Sequence, residues 1–395
     1  MRTAAPLAGV RVLDLSRVLA GPYCSMVLAD LGADVVKLER PGAGDPTRTW
    51  GPPFREGESA YYLCVNRGKR SVTVDLADPA GVEVAERLAL GADIVIESFL
   101  PGGADRLGLG YEALSAARPK LVYTSIAGYS PGSVDAHRPG FDFAIQGEAG
   151  GMSITGEPDG PPLKVGVAIA DITTGMFASI GTLAALRAAE ATGRGHHVQV
   201  SLFDSQLAWL ANRGSDWLVA GEEPQRLGNA HPAIVPYEAF ATSDGFVIVA
   251  IGTNEQYARF CIAAGLHDLA GDERYGSNAL RVEHRLELVA RLADAIRGRS
   301  TADWLAILEQ ANVPGGPVRT IPEAFAHAPY AVVQHPHPRL GSVRTVRSPI
   351  GLDGDYHTAA SAPPLLGQHT DEVLAELGYD VDARAALMRG ACRLA

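Results

Sequence analysis

Between residues 10 and 40 the chain alternates an apolar run, VRVLDL, a helical pattern across Tyr23 to Leu31, and a second apolar run, DVVKLE. Two short apolar runs joined through a helix predict a parallel β-α-β unit, because parallel strands need a crossover of that kind. From Asp78 the rhythm returns as a helix (PAGVEVAERLALGA), a buried strand (DIVIESF), a turn (LPGGADRLGLGYEAL) and another strand (KLVYTSIAGY). Such alternation predicts an α/β array. From Pro161 to Ser205 the pattern predicts an apolar approach over Val165 to Ala170, a long helix from Ile172 to Glu190, a glycine-punctuated turn and a strand. Gly175, Ala178, Ser179, Gly181 and Ala185 leave one face of that helix almost without side-chain volume, at the propensity cost of mid-helix glycine. Another element is expected to lie very close to it.

After Leu202 a helix, DSQLAWLANRGSDWLVAG, leads into GEEPQRLGNAHP, where proline and glycine flank charges and a domain boundary is expected. The runs YEAFAT and FVIVAIG, joined by the hairpin signal SDG, precede helices over Glu255 to Ala264, Arg281 to Arg297 and TADWLAILEQANV. They predict a small α+β domain. The expected division is a large domain over 1–205 and 330–395, a small one over 225–325, and linkers at 206–224 and 326–329.

Composition narrows the function. A chain of 395 residues exceeds what one core usually supports, and 47% hydrophobic with 20% charged residues is an ordinary globular balance. A net charge of −11 argues against a nucleic-acid or membrane-surface binder, so a polyanionic ligand needs a local basic patch. Cys24, Cys64, Cys261 and Cys392 show no C-x-x-C spacing, which indicates neither a zinc site nor a disulfide framework and fits the cytoplasm. No apolar run approaches a membrane span, and the first strand comes too soon for a presequence. His335, His337, His369 and the pair His196-His197 match no metal-site spacing and are expected to be surface or structural residues.

Asp171 is expected at the N-cap of the long helix, a position Asp favours. The same placement suits a nucleophile, since the helix end would hold the carboxylate ionised and an ionised carboxylate can attack an activated acyl group. In the first β-α-β unit the loop is SRVLAGP rather than G-x-G-x-x-G, which rejects a dinucleotide site despite Glu39 standing where a ribose-binding acid would lie. Arg40 and Arg48 lie in a Pro/Gly-rich loop that reads either as a surface turn or as a phosphate clamp. Arg67, Lys69 and Arg70 form the densest cationic cluster of the N-terminal half. They are either a solvated face or a phosphate site. Gly252 follows a buried strand, where a bare backbone N–H could meet a thioester oxyanion or simply start a turn capped by Asn254.

Several separated motifs carry a resemblance. They are AD-x-x-T-G before the small-residue helix, TGRG and VQVSLFD after it, VLDLSRVLAGP with LADLGADVVKLE near the start, ESFLPGGADRLGLGYEAL, and PPLLGQHT near the end. Together they resemble the class III CoA-transferases (CaiB/BaiF), a family that includes the α-methylacyl-CoA racemases. The resemblance implies a Rossmann-like large domain with a parallel sheet built from N- and C-terminal parts, a smaller α+β domain and an interlocked homodimer. It implies that Asp171 carries the acyl group through an anhydride and then an aspartyl-CoA thioester, that Asp142 is a supporting carboxylate and that Gly252 lies over the acyl group. It further implies a CoA site drawn from Arg17, Val18, Ala20, Arg40, Lys69, Ser98, Phe99, Gly102, Arg106, Arg138 and Phe141, with no cofactor beyond the CoA thioester. Phe99 is equally plausible as core. Where the racemases carry a His-Asp pair this chain has Phe141 and Asp142, and phenylalanine cannot take a proton, which favours a transferase. Leu19 stands where the oxalate branch has a glutamine. Succinyl-CoA is the expected donor and a C4 to C6 dicarboxylate such as glutarate or itaconate the acceptor, its distal carboxylate met by Arg17, Arg226 or His231. A racemase and a non-catalytic CoA-binding protein remain the alternatives.

Overall fold

A computed structural model describes residues 5–392 of the chain. Six strands form one parallel sheet: β1 (Arg11–Asp14), β2 (Asp34–Glu39), β3 (Lys69–Thr73), β4 (Ile94–Glu97), β5 (Val122–Ala127) and β6 (His197–Ser201). Their order across the sheet is β3-β2-β1-β4-β5-β6. The chain winds outward from β1 to β3, then returns to the other side of β1 and winds outward again. That is the doubly wound, Rossmann-type order, and it opens a crevice at the carboxyl ends of the strands beside β1.

The strands read as short apolar runs because both of their faces are covered. Val12, Val35, Ile94, Ile96 and Val122 face a layer containing α1 (Ala20–Asp30) and α4 (Ile169–Thr192). Their neighbours Leu13, Val36, Val95 and Tyr123 face the opposite core with α2 (Pro79–Gly91). The long connection from β5 to β6 carries α3 (Asp142–Glu148) and α4, and α5 (Leu202–Trp209) follows β6 directly. The helix expected to run on through Gly221 breaks after Trp209, where Ala211 has a positive φ of 46°.

Among the described residues the sheet takes no strand from the C-terminal part, which corrects one expectation. Residues 332–346 instead form a separate antiparallel hairpin of β10 (Val332–His337) and β11 (Gly341–Val346). The stretch before α9 (Thr370–Glu376) covers the edge strand: the Ser71 and Thr73 N–H groups donate to His369 Nδ1 and Thr370 Oγ1, and His369 N–H donates to the Ser71 carbonyl. Main-chain groups that would otherwise template a further strand are thereby occupied.

Two compact units emerge, one of 1–151, 164–215 and 330–395, the other of 152–163 and 216–329. The segment 152–163 thus groups with the second unit, although the sequence pattern kept it in the large domain. The second unit has its own three-stranded antiparallel sheet, β7 (Tyr237–Ala241), β8 (Phe246–Ala250) and β9 (Gly315–Pro317), with β8 in the middle. Its core joins Phe240, Val247 and Val249 to residues of α6 (Asn254–Ala264), α7 (Arg285–Arg297) and α8 (Thr301–Ala311), with Trp304 Nε1 donating to the Ile296 carbonyl. The helix expected from Arg281 is split, its first part being a separate turn at Asn278–Glu283.

The small-residue face of α4 explains itself in the packing. A Cβ added at Gly175 would lie 2.7 Å from the Ala20 carbonyl oxygen and 3.0 Å from Tyr23 Cβ, so α1 and α4 approach to a distance only glycine allows. At 24 residues α4 is also long and apolar enough to cross a membrane by length and composition, contrary to the expectation that no such run exists. Its buried positions Thr174, Gly175, Ala178, Ser179 and Ala185 instead serve the α1 and sheet contacts. Replacing Gly175 with Val is expected to destabilise the fold by about 1–3 kcal/mol, the usual cost of overpacking. A urea midpoint equal to that of the wild type contradicts this account of the close approach.

Candidate active site

Two cavities of 460 and 320 Å³ open at the carboxyl ends of β1, β2 and β4, and they share Arg17, Pro46 and Phe99 in their walls. The larger is lined by Lys37, Glu39, Arg40, Asp45 and Asp75. The smaller is lined by Val18, Ala20, Ser98, Arg138, Phe141 and Asp171. Their common walls make one elongated crevice, at the point where the strand order reverses.

The loop between β1 and α1 forms the shared border. Its Arg17 N–H donates to Ser98 Oγ at 3.1 Å, and its Val18 N–H reaches the carboxylate of Asp45 at 3.2 Å. Val18 has φ of 72°, a left-handed conformation that costs a β-branched residue roughly 1–3 kcal/mol and persists only where the surroundings enforce it. Phe99 is half-buried and walls both cavities, while Ala20 opens α1. Leu19 is buried against Met26 and Val65, so that position supplies no polar group to the site.

Asp171 is the third residue of α4, whose N-cap position is Ala168. The expected capping role falls to Asp142, which accepts the Ala170 N–H at 2.8 Å and Gln146 Nε2 at 2.7 Å. Asp171 is 9% exposed, and among the described residues nothing hydrogen-bonds its carboxyl. Burial, reinforced by the neighbouring charge of Asp142, pushes its pKa up to about 7. The helix end was expected to hold this carboxyl ionised. Two carboxylates share that end, however, and Asp142 takes the free N–H while repelling its neighbour. Phe141 is 58% exposed and lines the cavity with a ring that offers no base.

Tyr61 lines neither cavity but packs against the same buried cluster as Val18, Ala168 and Ile172, a placement that nothing in YYLCVN signals. Burial and the charges of Asp171 and Asp142 lift its phenol to about 12, and its ring meets Trp50 edge-on at 5.2 Å.

The cationic cluster is corrected by the structure. Lys69 is 1% exposed, and its Nζ is held by Asp14 (3.2 Å), the Pro22 carbonyl (2.9 Å) and Asn66 Oδ1 (2.9 Å). It cannot reach a phosphate in the crevice, because a parallel strand is covered on both faces and its ammonium points into the interior. Arg67 grips Asp30, Arg70 reaches Asp34 and Glu376, and Arg48 makes a two-pronged pair with Glu39. Arg138 lines the smaller cavity, but Asp135 and Glu148 match its charge. Arg17, Arg40 and Arg106 are exposed, and among the described residues none has a side-chain ion pair. Arg40 lines the larger cavity; Arg106 ends a short helix begun after Gly102, whose φ is 73°, and walls neither cavity.

Gly252 lies in the second unit, where its N–H donates to Gln256 Oε1 at 2.8 Å. Thr253, not Asn254, caps α6 in a reciprocal box with that glutamine. Arg226 spends its guanidinium on backbone carbonyls including Gly160 (3.0 Å), and His231 Nδ1 accepts the Ala233 N–H at 3.1 Å. His335 is a buried structural residue, bonded to Thr345 Oγ1 at 2.8 Å. No group of three His, Cys, Asp or Glu among the described residues is placed to hold a metal ion.

The sequence profile of CoA-transferase family III matches residues 7–370. The chain belongs to CoA-transferase family III. It is 44% identical to the succinate–glutarate CoA-transferase of Agrobacterium fabrum, over 94% of this chain and 96% of that one. It is 41% identical to the succinyl-CoA:glutarate CoA-transferase of Mus musculus, over 97% of this chain and 89% of the relative. A crystal structure of a CaiB/BaiF family protein from Brucella suis superposes with a TM-score of 0.85 at 41% identity, covering 95% of this chain and all of the other. In this transferase the crevice is therefore the place to look for an acyl-CoA, and Asp171 is the one carboxyl in its walls that is both shielded from water and free of partners.

The electrostatics give a titration that can be read directly. The infrared carboxylate band lost in Asp171→Asn is expected to titrate with a midpoint near 7 in the wild type. The carboxyl is protonated below that pH and ionised above it. Asp142→Asn removes the repelling charge, so the midpoint should move to lower pH. A midpoint near 4 in the wild type, or one that Asp142→Asn leaves in place, contradicts the pairing.

Proposed function

We propose that the enzyme moves CoA from an acyl-CoA, with succinyl-CoA as donor, to a free dicarboxylate such as glutarate or itaconate, through covalent intermediates on Asp171. What carries the reading is Asp171 itself, a shielded carboxyl that nothing among the described residues hydrogen-bonds, in the wall of a crevice made of two adjoining cavities. Its ionised oxygen attacks the donor carbonyl and expels CoA thiolate, leaving an aspartyl acyl anhydride. The thiolate attacks the aspartyl carbonyl, the donor acid leaves, and an aspartyl-CoA thioester remains. The acceptor carboxylate displaces CoA to form a second anhydride, and the thiolate then attacks the acceptor acyl carbon, releasing the new thioester and the Asp171 carboxylate.

One thioester replaces another, so the reaction is nearly balanced and the protein's task is positioning and charge stabilisation. A carboxyl lifted to about 7 is a better nucleophile than an ordinary one and is still ionised in about half of the molecules at neutral pH. The scheme needs no cofactor beyond the CoA thioester. Arg40 is the cation on the larger cavity that suits the nucleotide phosphates, in place of the buried Lys69. Phe141 supports the transferase over the racemase reading, since it leaves that position without a proton acceptor. The Gly252 N–H suits an oxyanion only after release from Gln256. An interlocked homodimer is supported by apolar side chains left open on the first unit: Met176, Phe177 and Ile180 on α4, and Phe143 on α3. Free cysteines support a cytoplasmic setting.

A distal carboxylate needs a cation, and of the two arginines on the crevice without an ion pair among the described residues, Arg17 borders both cavities, including the one that holds Asp171, whereas Arg40 lines only the larger. Asp171→Asn is expected to abolish transfer while leaving the fold intact, and hydroxylamine should trap an aspartyl adduct only in the wild type during turnover. Full turnover by the variant rules the scheme out. With Arg17 in place, kcat/KM for glutarate should exceed that for valerate by about tenfold or more, because only the dicarboxylate offers the guanidinium a charged partner in the crevice. In Arg17→Ala the ratio should collapse; comparable values in the wild type place the enzyme on monocarboxylates.

A further inference from the structure

The left-handed turn at Val18 is held from two sides by one buried ion pair. Lys37 Nζ lies 3.0 Å from Asp45 Oδ2, and both side chains are almost wholly excluded from solvent. From this pair the lysine donates to the Ser16 carbonyl at 2.9 Å, and the aspartate accepts the Val18 N–H at 3.2 Å. Carbonyl and N–H thus flank Arg17, so the pair grips the loop immediately before and after the residue that borders both cavities. Asp45 is itself fixed, its other contacts being the Thr47 N–H (2.9 Å) and Thr47 Oγ1 (2.7 Å). Its own N–H donates to Glu39 Oε2 at 2.9 Å. Glu39 in turn is clamped by Arg48 and by Ser71 Oγ at 2.6 Å.

Val18 carries this restraint to the reacting carboxyl. Its side chain packs against the buried cluster of Leu19, Met26 and Val65, and Ala168 and Ile172 pack against the same cluster. Ile172 follows Asp171 directly, and Ala168 is the N-cap residue of the same helix. A turn that relaxed to ordinary φ would swing Val18 off this cluster and carry the Arg17 N–H off Ser98 Oγ. We infer that Asp45, held by Lys37, is a positioning residue for transfer: the buried pair enforces the left-handed turn at Val18, and the turn sets Asp171 and Arg17 relative to one another across the crevice. Asp45 touches no reacting atom in this account, and a valine is tolerated at a position that suits glycine because the pair over-determines it.

The inference rests on Asp171 being the reacting group, so Asp171→Asn is measured beside it. Asp45→Asn preserves shape and an acceptor oxygen but removes the charge that Lys37 needs. We expect it to lower kcat tenfold or more, with KM for the CoA thioester changed less than threefold. In a Val18→Gly background, where no strain has to be enforced, the same substitution should lower kcat less than threefold. Asp45→Glu, which keeps the charge, should recover part of the loss and serves as the milder arm should the Asn variant fail to fold. A wild-type kcat at reduced stability, a loss confined to KM, or an equal loss in both backgrounds overturns the positioning role while leaving an inactive Asp171→Asn to support the site. A fully active Asp171→Asn sinks both.

Discussion

Charge buried in balanced sets beneath the carboxyl ends of β1, β2 and β3 is the constraint on which the crevice depends. Asp14, Glu39 and Asp45 stand there against Lys37, Arg48 and Lys69. Burial acts to raise the pKa of Asp14, yet Lys37 and Lys69, with Ser16 and Ser25, hold it down to about 2. The two lysines divide in opposite directions. Burial disfavours both ammonium groups, but Lys37 is surrounded by Asp14, Asp45 and Glu39 and ends above its usual value, whereas Lys69 faces Asp14 together with the like charge of Lys37 and falls to about 8. Removing one member of such a set strands its partner in low dielectric, at a cost of about 3–5 kcal/mol. The set therefore behaves as a rigid floor, and the loop at Val18 is fastened to it.

On the opposite wall the same physics is left deliberately unbalanced. Asp142 and Asp171 share one helix end, and among the described residues only Asp142 has hydrogen-bond donors and neither has an ion pair. The contrast separates structure from chemistry within a single crevice. Matched charges fix the backbone, and the unmatched carboxyl is the group in the crevice wall that is left to change protonation near neutrality without breaking an ion pair.

Elements with a local cause were legible in the sequence. The apolar runs of the sheet, the glycine-rich face of α4 and the position of Asp171 near a helix start follow from periodicity and composition, whereas the Rossmann-like class came from the resemblance and the strand order only from the structure. What local pattern missed depends on partners far along the chain. NRGKRS looks like a solvated cationic patch, yet Lys69 finds Asp14, Arg67 finds Asp30, and Arg70 finds Glu376, more than three hundred residues away. Tyr61 was missed for the same reason, since nothing in YYLCVN tells that one tyrosine packs against the Leu19 cluster beside the start of α4 while the next, Tyr62, is buried against Arg48. The displaced N-cap is a subtler case. Asp171 satisfies the capping preference by identity, but Asp142, 28 residues before Ala170, reaches the helix end first.

That displacement bears on chemistry more than on fold. A carboxylate that caps its own helix is hydrogen-bonded, ionised at low pH and weakly nucleophilic, because the donors that stabilise its charge must be given up when it attacks. Handing the cap to Asp142 releases Asp171 from that cost. It keeps the location beside the helix end, where the macrodipole still favours the negative charge that develops as an anhydride breaks down. The penalty is a carboxyl half protonated at neutral pH, which burial creates and the second acid deepens while taking over the cap. Substituting a residue that accepts the Ala170 N–H without a charge thus separates two effects that the native pair combines, capping and repulsion, and only the second reaches the reacting oxygen.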